Sequence, residues 1–192
     1  MEPYRDRLRE AEQQTGMHEA ALSGEAKLDG RPLVLISLEF DFLGGTMGSV
    51  VGEKVARAFQ VATRRKLPVV SILASGGARI QEGVKSLGGY ADIFLRNTLA
   101  SGVVPQLSAI MGPCAGGAVY SPALTDFICM VKKTSFMFVT GPDVIKQTVK
   151  VNLPEGFQRS EDLDVSLAHV SHRRQSVQNK GSGRPEHRPE RP

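Results

Sequence analysis

The sequence predicts an α/β domain built on a parallel sheet. Three observations carry this expectation. Apolar runs of strand length alternate with stretches of helical period, the order that gives parallel strands joined by right-handed crossovers. The run Leu33, Val34, Leu35, Ile36, Leu38 is nearly continuous, as in a strand buried on both faces. The glycines, 20 among 192 residues, gather at element junctions as Gly44-Gly45, Gly76-Gly77, Gly88-Gly89 and Gly116-Gly117.

Taken in order, Pro3 to Thr15 predicts a helix that is polar almost all round, with a narrow stripe of Tyr4, Leu8 and Ala11, ended by Gly16. A solvated arm is the reading this composition favours; the other is a helix packed on a partner. Ala21 to Lys27 predicts a short strand, Asp29-Gly30 a hairpin turn, and Arg31 to Phe42 a second strand. Phe40 to Ser49 is a glycine-rich loop that either walls an apolar pocket or simply turns the chain. Ser49 to Arg65 predicts a helix through Val51, Val55, Ala58, Phe59 and Ala62. Arg64, Arg65 and Lys66 close it where the helix dipole favours cations; their alternative role is to meet a phosphate-bearing ligand.

Val69 to Leu73 predicts a buried strand, and Gln81 to Leu99 a long helix. Each of the paired glycines 88 and 89 costs that helix about 1 kcal/mol relative to alanine, so a kink, a break or close packing is expected there. A strand over Val103 to Ile110 and a short helix near Ala115 to Leu124 follow. Phe127 to Val131 and Ser135 to Thr140 predict two more strands, and Asp143 to Val149 a helix with Pro142 near its first turn. From His169 to Pro192 no hydrophobic period remains and disorder is expected. The chain thus divides into a helical arm (1–20), one α/β domain (21–167) and a basic tail (168–192).

Composition narrows the function classes. The net charge of +4 lies in the tail: six Lys/Arg from Arg173 to Arg191 face only Glu186 and Glu190, so residues 1–170 are balanced. Without a basic face on the body, nucleic acid is not an expected partner. No apolar run approaches the ~20 residues that span a bilayer, so no membrane is expected either. Two cysteines, Cys114 and Cys129, make neither a zinc pattern nor a disulfide framework and fit a reducing compartment. There is no secretory h-region, and an N-terminus with Glu2, Asp6, Glu10 and Glu12 is too acidic for a transit peptide. The cytoplasm is the expected location.

Two stretches carry the chemistry. Ser75-Gly76-Gly77-Ala78-Arg79 follows one strand, and Gly112-Pro113-Cys114-Ala115-Gly116-Gly117-Ala118 follows another. Backbone N–H groups at such turns suit an oxygen that becomes negative during reaction. The plain alternative is a tight connection that needs glycine for backbone room. Two such turns point to thioester chemistry more than to phosphate binding, because neither stretch fits the phosphate-loop pattern or G-x-G-x-x-G.

These motifs, with Tyr120-Ser121-Pro122-Ala123-Leu124-Thr125-Asp126 and Thr140-Gly141-Pro142-Asp143-Val144, resemble the carboxyltransferase family of biotin-dependent acyl-CoA carboxylases. Gly44 to Lys54 and Leu153 to Glu161 are most similar to the acetyl-CoA carboxylase beta subunit; Gly89 to Val144 is closer to the propionyl-CoA carboxylase beta chain. The resemblance covers roughly residues 4–163. It implies a crotonase-like fold of repeated ββα units. It also implies that carboxybiotin, on a separate carrier protein, donates the carboxyl group to a short acyl-CoA whose enolate is held by backbone N–H groups. Carried over by position, Gly76, Gly77, Gly116 and Gly117 are the expected catalytic donors. Gly44, Gly45, Ser75, Ala78, Arg79 and Ala115 are the expected substrate-binding residues, with Arg79 meeting either a CoA phosphate or the helix start.

The family's zinc ribbon would need four cysteines that this sequence does not have, so no zinc is expected. Because family active sites form between two crotonase-like domains, the resemblance implies a hetero- or homo-oligomer. The implied partners are a carboxyltransferase alpha subunit or second crotonase-like domain, the biotin carboxyl carrier protein and biotin carboxylase. After Glu161 the sequence departs from the family into Asp162 to Leu167 and the basic tail, an ending such as a frameshift or truncation would leave. Two other roles fit the same residues: a CoA-binding assembly module without catalysis, and a malonyl- or methylmalonyl-thioester decarboxylase subunit.

Overall fold

The computed structural model describes residues 3–161. The tail and its three histidines lie outside the described residues. Helix α1 (Tyr4–Thr15) ends at Gly16 in the left-handed region, and the hairpin β1 (Ala21–Leu28) and β2 (Arg31–Leu38) turns through Asp29 and Gly30 at φ 49° and 76°. That pair of positive angles is what the Asp-Gly signal requires. Strand β2 stops four residues earlier than expected, because the chain leaves the sheet to bury Phe42.

Helix α2 (Ser49–Arg65) has the expected bounds, and β3 (Val69–Ser75) follows. The expected helix from Gln81 is divided: a 3-10 turn, Ile80–Glu82, is cut by Gly83 at φ 54°, and α3 (Val84–Ala100) begins after it. The paired glycines 88 and 89 do not kink α3. A Cβ on Gly52 would fall 2.5 Å from Cα of Gly89, so these two positions let α2 and α3 cross in backbone contact.

Strand β4 (Gln106–Ala115) starts later and runs further than expected. It continues through Pro113 because a second neighbour extends its edge: β5 (Phe127–Met130) pairs with 107–110, and β6 (Phe136–Phe138) pairs with 113–115. Between β4 and β5, the expected short helix is a 3-10 turn, Gly116–Val119, leading into α4 (Tyr120–Ala123), and α5 (Pro142–Val149) comes last. The sheet order is β1-β2-β3-β4-β5 with β6 on β4; β1 is antiparallel and every other pairing is parallel.

The core lies between this sheet and the α2–α3 layer, around Ile36, Val51, Phe59, Val69, Ile93 and Ile110. Helix α1 is docked rather than solvated: Ala11 is buried and Leu8 packs against the same core. Among the described residues no helix is long and apolar enough to cross a membrane. The parallel arrangement brings the loop after β2, the turn after β3 and the turn after β4 to one end of the sheet. The carboxyl ends of parallel strands are where open α/β sheets bind ligands.

Candidate active site at the carboxyl ends of three strands

The first turn is built from Ser75 to Arg79. Ser75 is fully buried, and its Oγ accepts the Gly77 N–H at 3.2 Å. The Gly76 N–H donates to the Gly44 carbonyl at 2.8 Å. Both N–H groups expected to face a reacting oxygen are therefore already spent inside the chain, and the expected roles of Gly76 and Gly77 need correction. They shape the turn. Gly77 sits at φ 100°, and a Cβ there would lie 2.8 Å from the Ala115 carbonyl oxygen, so no side chain fits.

The open donor is the next residue. Met47 forms a bridge with Ala78 in which the Met47 N–H donates to the Gly77 carbonyl at 2.8 Å and the Arg79 N–H donates to Met47 at 3.0 Å. This pattern turns the N–H of Ala78 away from Met47, and among the described residues it makes no hydrogen bond. The second turn abuts this segment: the Gly77 Cβ position is 3.9 Å from Cα of Gly116. Gly116 adopts φ 57°, and Gly117 follows in the first turn of the 3-10 segment, where an N–H has no acceptor within its own helix.

A Cβ on Gly117 would stand 2.9 Å from the ring of Tyr90, so the tyrosine ring sets how far this turn can sink. The Tyr90 hydroxyl is buried near Ser75 and Cys114 but meets hydrogen-bond geometry with neither, and burial pushes its pKa up. Cys114 donates from Sγ to the Ala118 carbonyl, and burial pushes its thiol up to about 12. A thiol so placed stays protonated and is no nucleophile.

Gly44 and Gly45 frame the same end. Gly44 supplies the carbonyl held by Gly76, and Gly45 is buried against the Ala74 carbonyl. Ala115 is half-buried on the last rung of β4 beside Phe138. Arg79 does not do what was expected of a CoA contact. Its side chain is fully buried, and all five guanidinium hydrogens have partners, so none is left for a phosphate. Nε donates to Thr46 Oγ1 at 3.2 Å; the terminal nitrogens donate to the Thr46 carbonyl at 2.7 Å, to both Glu19 oxygens at 2.8 and 2.5 Å, and to the Tyr4 hydroxyl at 3.2 Å.

Glu19, Tyr4, Thr46 and Tyr90 are the residues that sequence reasoning missed. Only Glu82, three residues after Arg79, carried a legible signal, the spacing of a helical ion pair. The enclosed space below the site, lined by Leu73, Ser75, Cys114 and Ala118 among others, measures about 20 Å³. That holds one water at most, so no larger group fits inside it.

Residues 2–161 match the family model described as the carboxyl transferase domain. The chain is 46% identical over 155 residues to the mitochondrial propionyl-CoA carboxylase beta chain of Homo sapiens, covering 81% of this chain and 29% of that protein. It is 57% identical over 128 residues to the propionyl-CoA carboxylase beta chain of Saccharopolyspora erythraea, covering 67% and 23%. Among solved structures, transcarboxylase 12S with hydrolysed methylmalonyl-coenzyme A superposes with a TM-score of 0.71 at 43% identity, over 74% of this chain and 28% of that one. The fold is accordingly the crotonase-like fold of the carboxyltransferases. The chain spans less than a third of the length of these relatives.

Proposed function

Because this chain belongs to the carboxyl transferase domain family, we propose that it forms one half of a site that moves a carboxyl group from carboxybiotin to a short acyl-CoA. The observation that carries this reading is the pair of backbone N–H groups, on Ala78 and Gly117, at the abutting turns after β3 and β4. Both suit a thioester oxygen, which gains negative charge when the α-proton leaves and its electron pair moves into the enolate. Donors fixed before the reaction stabilise that charge without reorganising, and one such donor contributes roughly 100- to 1000-fold in rate. The enolate carbon then forms the new C–C bond to carbon dioxide.

Carboxybiotin, delivered on a separate carrier, supplies the carbon dioxide and the base for the α-proton. The chain's own part is to position the thioester and to hold the oxyanion. No protein nucleophile is needed, in keeping with the protonated Cys114. Higher identity to carboxylase and transcarboxylase subunits favours this reading over an assembly module or a decarboxylase. The same relatives favour propionyl-CoA over acetyl-CoA as acceptor; acetyl-CoA, and with it fatty acid biosynthesis, is the second choice.

The partner proposed is a second crotonase-like domain, on a carboxyltransferase alpha subunit or another chain, working with biotin carboxylase and the carrier protein. An exposed apolar stripe, Ile80, Val84 and Leu87, borders the open side of the Ala78 turn and supports such a neighbour. Free thiols at Cys114 and Cys129 support a reducing compartment, which we take to be the cytoplasm.

Calorimetric titration with propionyl-CoA, acetyl-CoA and free CoA, alone and with an alpha-type subunit, tests this. Saturable binding that is tighter for an acyl-CoA than for CoA is expected. No acyl preference even with the partner present would overturn the reading.

A further inference from the structure

We propose that α1 and Glu19 are positioning elements of the reaction site, holding the Ala78 N–H in place through the side chain of Arg79. The proposal rests on the reading that this N–H meets the thioester oxygen. Ala78 has no side chain able to fix its own peptide. Its position is set by its neighbour, and Arg79 is bolted from both ends. Its backbone N–H is held by Met47 and by Ser86 Oγ at 3.1 Å, while Ser86 itself donates to the Met47 carbonyl at 2.6 Å.

The guanidinium is tied across 60 residues to Glu19 and across 75 to Tyr4. The Tyr4 hydroxyl in turn donates to Glu82 Oε1 at 2.6 Å, while Glu82 Oε2 accepts the Ser49 N–H at 2.6 Å at the start of α2. Glu82 thus links the segment that carries Ala78 to the first turn of α2, and a single hydroxyl on α1 braces Glu82 against Arg79. A surface arm makes no such bond: the pair it reaches is buried, with Arg79 and Glu19 side chains 0% and 5% exposed. Bonds to charged groups are the strong ones, and buried they hold a geometry that exposed pairs do not.

Tyr4→Phe tests the link, because it keeps the ring and removes one hydroxyl. Hydrogen exchange of the full chain, read by mass spectrometry, is expected to speed up at least about tenfold for the Met47 and Arg79 amides, from the loss of the two hydrogen bonds this hydroxyl makes to charged groups. The interior of β3 is expected to exchange as before. Faster exchange confined to α1, with the 76–82 segment unchanged, would overturn the proposal. In the complex with a partner subunit, kcat is expected to fall with the acyl-CoA KM held within about twofold, the signature of an interaction made in the transition state. A rise in KM with kcat unchanged would equally overturn it. Absence of carboxyl transfer by wild type and variant alike would sink the functional reading and leave the exchange result to decide the coupling.

Discussion

The two glycine turns look alike in sequence and are held by different means. After β3, the turn is fastened by side chains from distant segments: every Arg79 donor is used, and the N–H groups of Gly76 and Gly77 are closed off by Gly44 and Ser75. After β4, the turn packs on the Tyr90 ring, whose hydroxyl has no hydrogen-bond partner among the described residues. One turn is fixed by charge and the other by shape. A glycine pair therefore announces backbone room, and the surrounding acceptors decide which N–H remains open.

Substitutions separate these two modes. The largest effect is expected from Gly77→Val, which meets both a positive φ and the Ala115 carbonyl and would displace Ala78 and the second turn together. Carboxyl transfer in the assembled complex should drop roughly 100- to 1000-fold, the cost of an oxyanion donor. Glu19→Gln strikes the charged mode alone. Removing the bidentate Glu19 carboxylate from buried Arg79, with only the longer Glu82 contact at 3.5 Å left to pair it, should cost up to about 3–5 kcal/mol, and thermal unfolding should show a Tm lower by up to roughly 6–20 °C. An unchanged Tm would mean that the turn does not depend on charge.

The third contrast is in pH. Burial opposes ionisation of Glu82, but the hydrogen bonds from Ser49 and Tyr4 outweigh it and hold its carboxyl below the ordinary 4.5. A depressed folded-state value means that stability is present above 4.5 and is lost as the pH falls through the folded value. Melting curves between pH 3 and 6 should therefore fall more gently with acid in Glu82→Gln than in the wild type. In the shape-held turn, Tyr90→Phe removes a buried hydroxyl that makes no bond, so Tm should stay the same or rise by the equivalent of about 1 kcal/mol. The smallest effect is expected from Gly76→Ala. Its Cβ would meet the Gly44 carbonyl at 3.4 Å and Thr46 Cγ2 at 3.5 Å, ordinary contacts, so activity close to wild type is the expected assay result.

Much of the frame was legible in the sequence. The bounds of α2 follow from its apolar period and its cationic end, and the hairpin follows from Asp29-Gly30, because both signals are local. The glycine pairs 76–77 and 116–117 lie at the strand ends where the candidate site is built. The misreadings are non-local. Strand β4 runs on to Ala115 because β6, twenty residues later, offers it a partner. Arg79 reads as either a CoA-phosphate contact or helix-start packing until Glu19 is seen beside it, and α1 reads as a solvated arm because most of its residues are polar, while Ala11, Leu8 and the Tyr4 hydroxyl on Glu82 dock it. Which N–H groups stay open depends in part on acceptors some thirty residues away, as Gly44 is from Gly76, and no spacing rule reports that.

The long reach of Arg79 also orders events in time. The hairpin closes a short stretch of chain and the β3–β4 pairing joins Val69 to Gln106, whereas the bond to Glu19 closes 60 residues and needs three separate segments in place. Loop closure of that length costs about 3.6 kcal/mol in chain entropy before any contact rewards it. Because the network joins α1, the turn after β3 and the first turn of α2, segments that the sheet and its helices bring together, it should assemble after the sheet, and damage to it should hasten unfolding and leave the folding rate nearly untouched. A newly made chain would carry its sheet before it carried a competent Ala78, and catalytic readiness would be the last property the fold acquires.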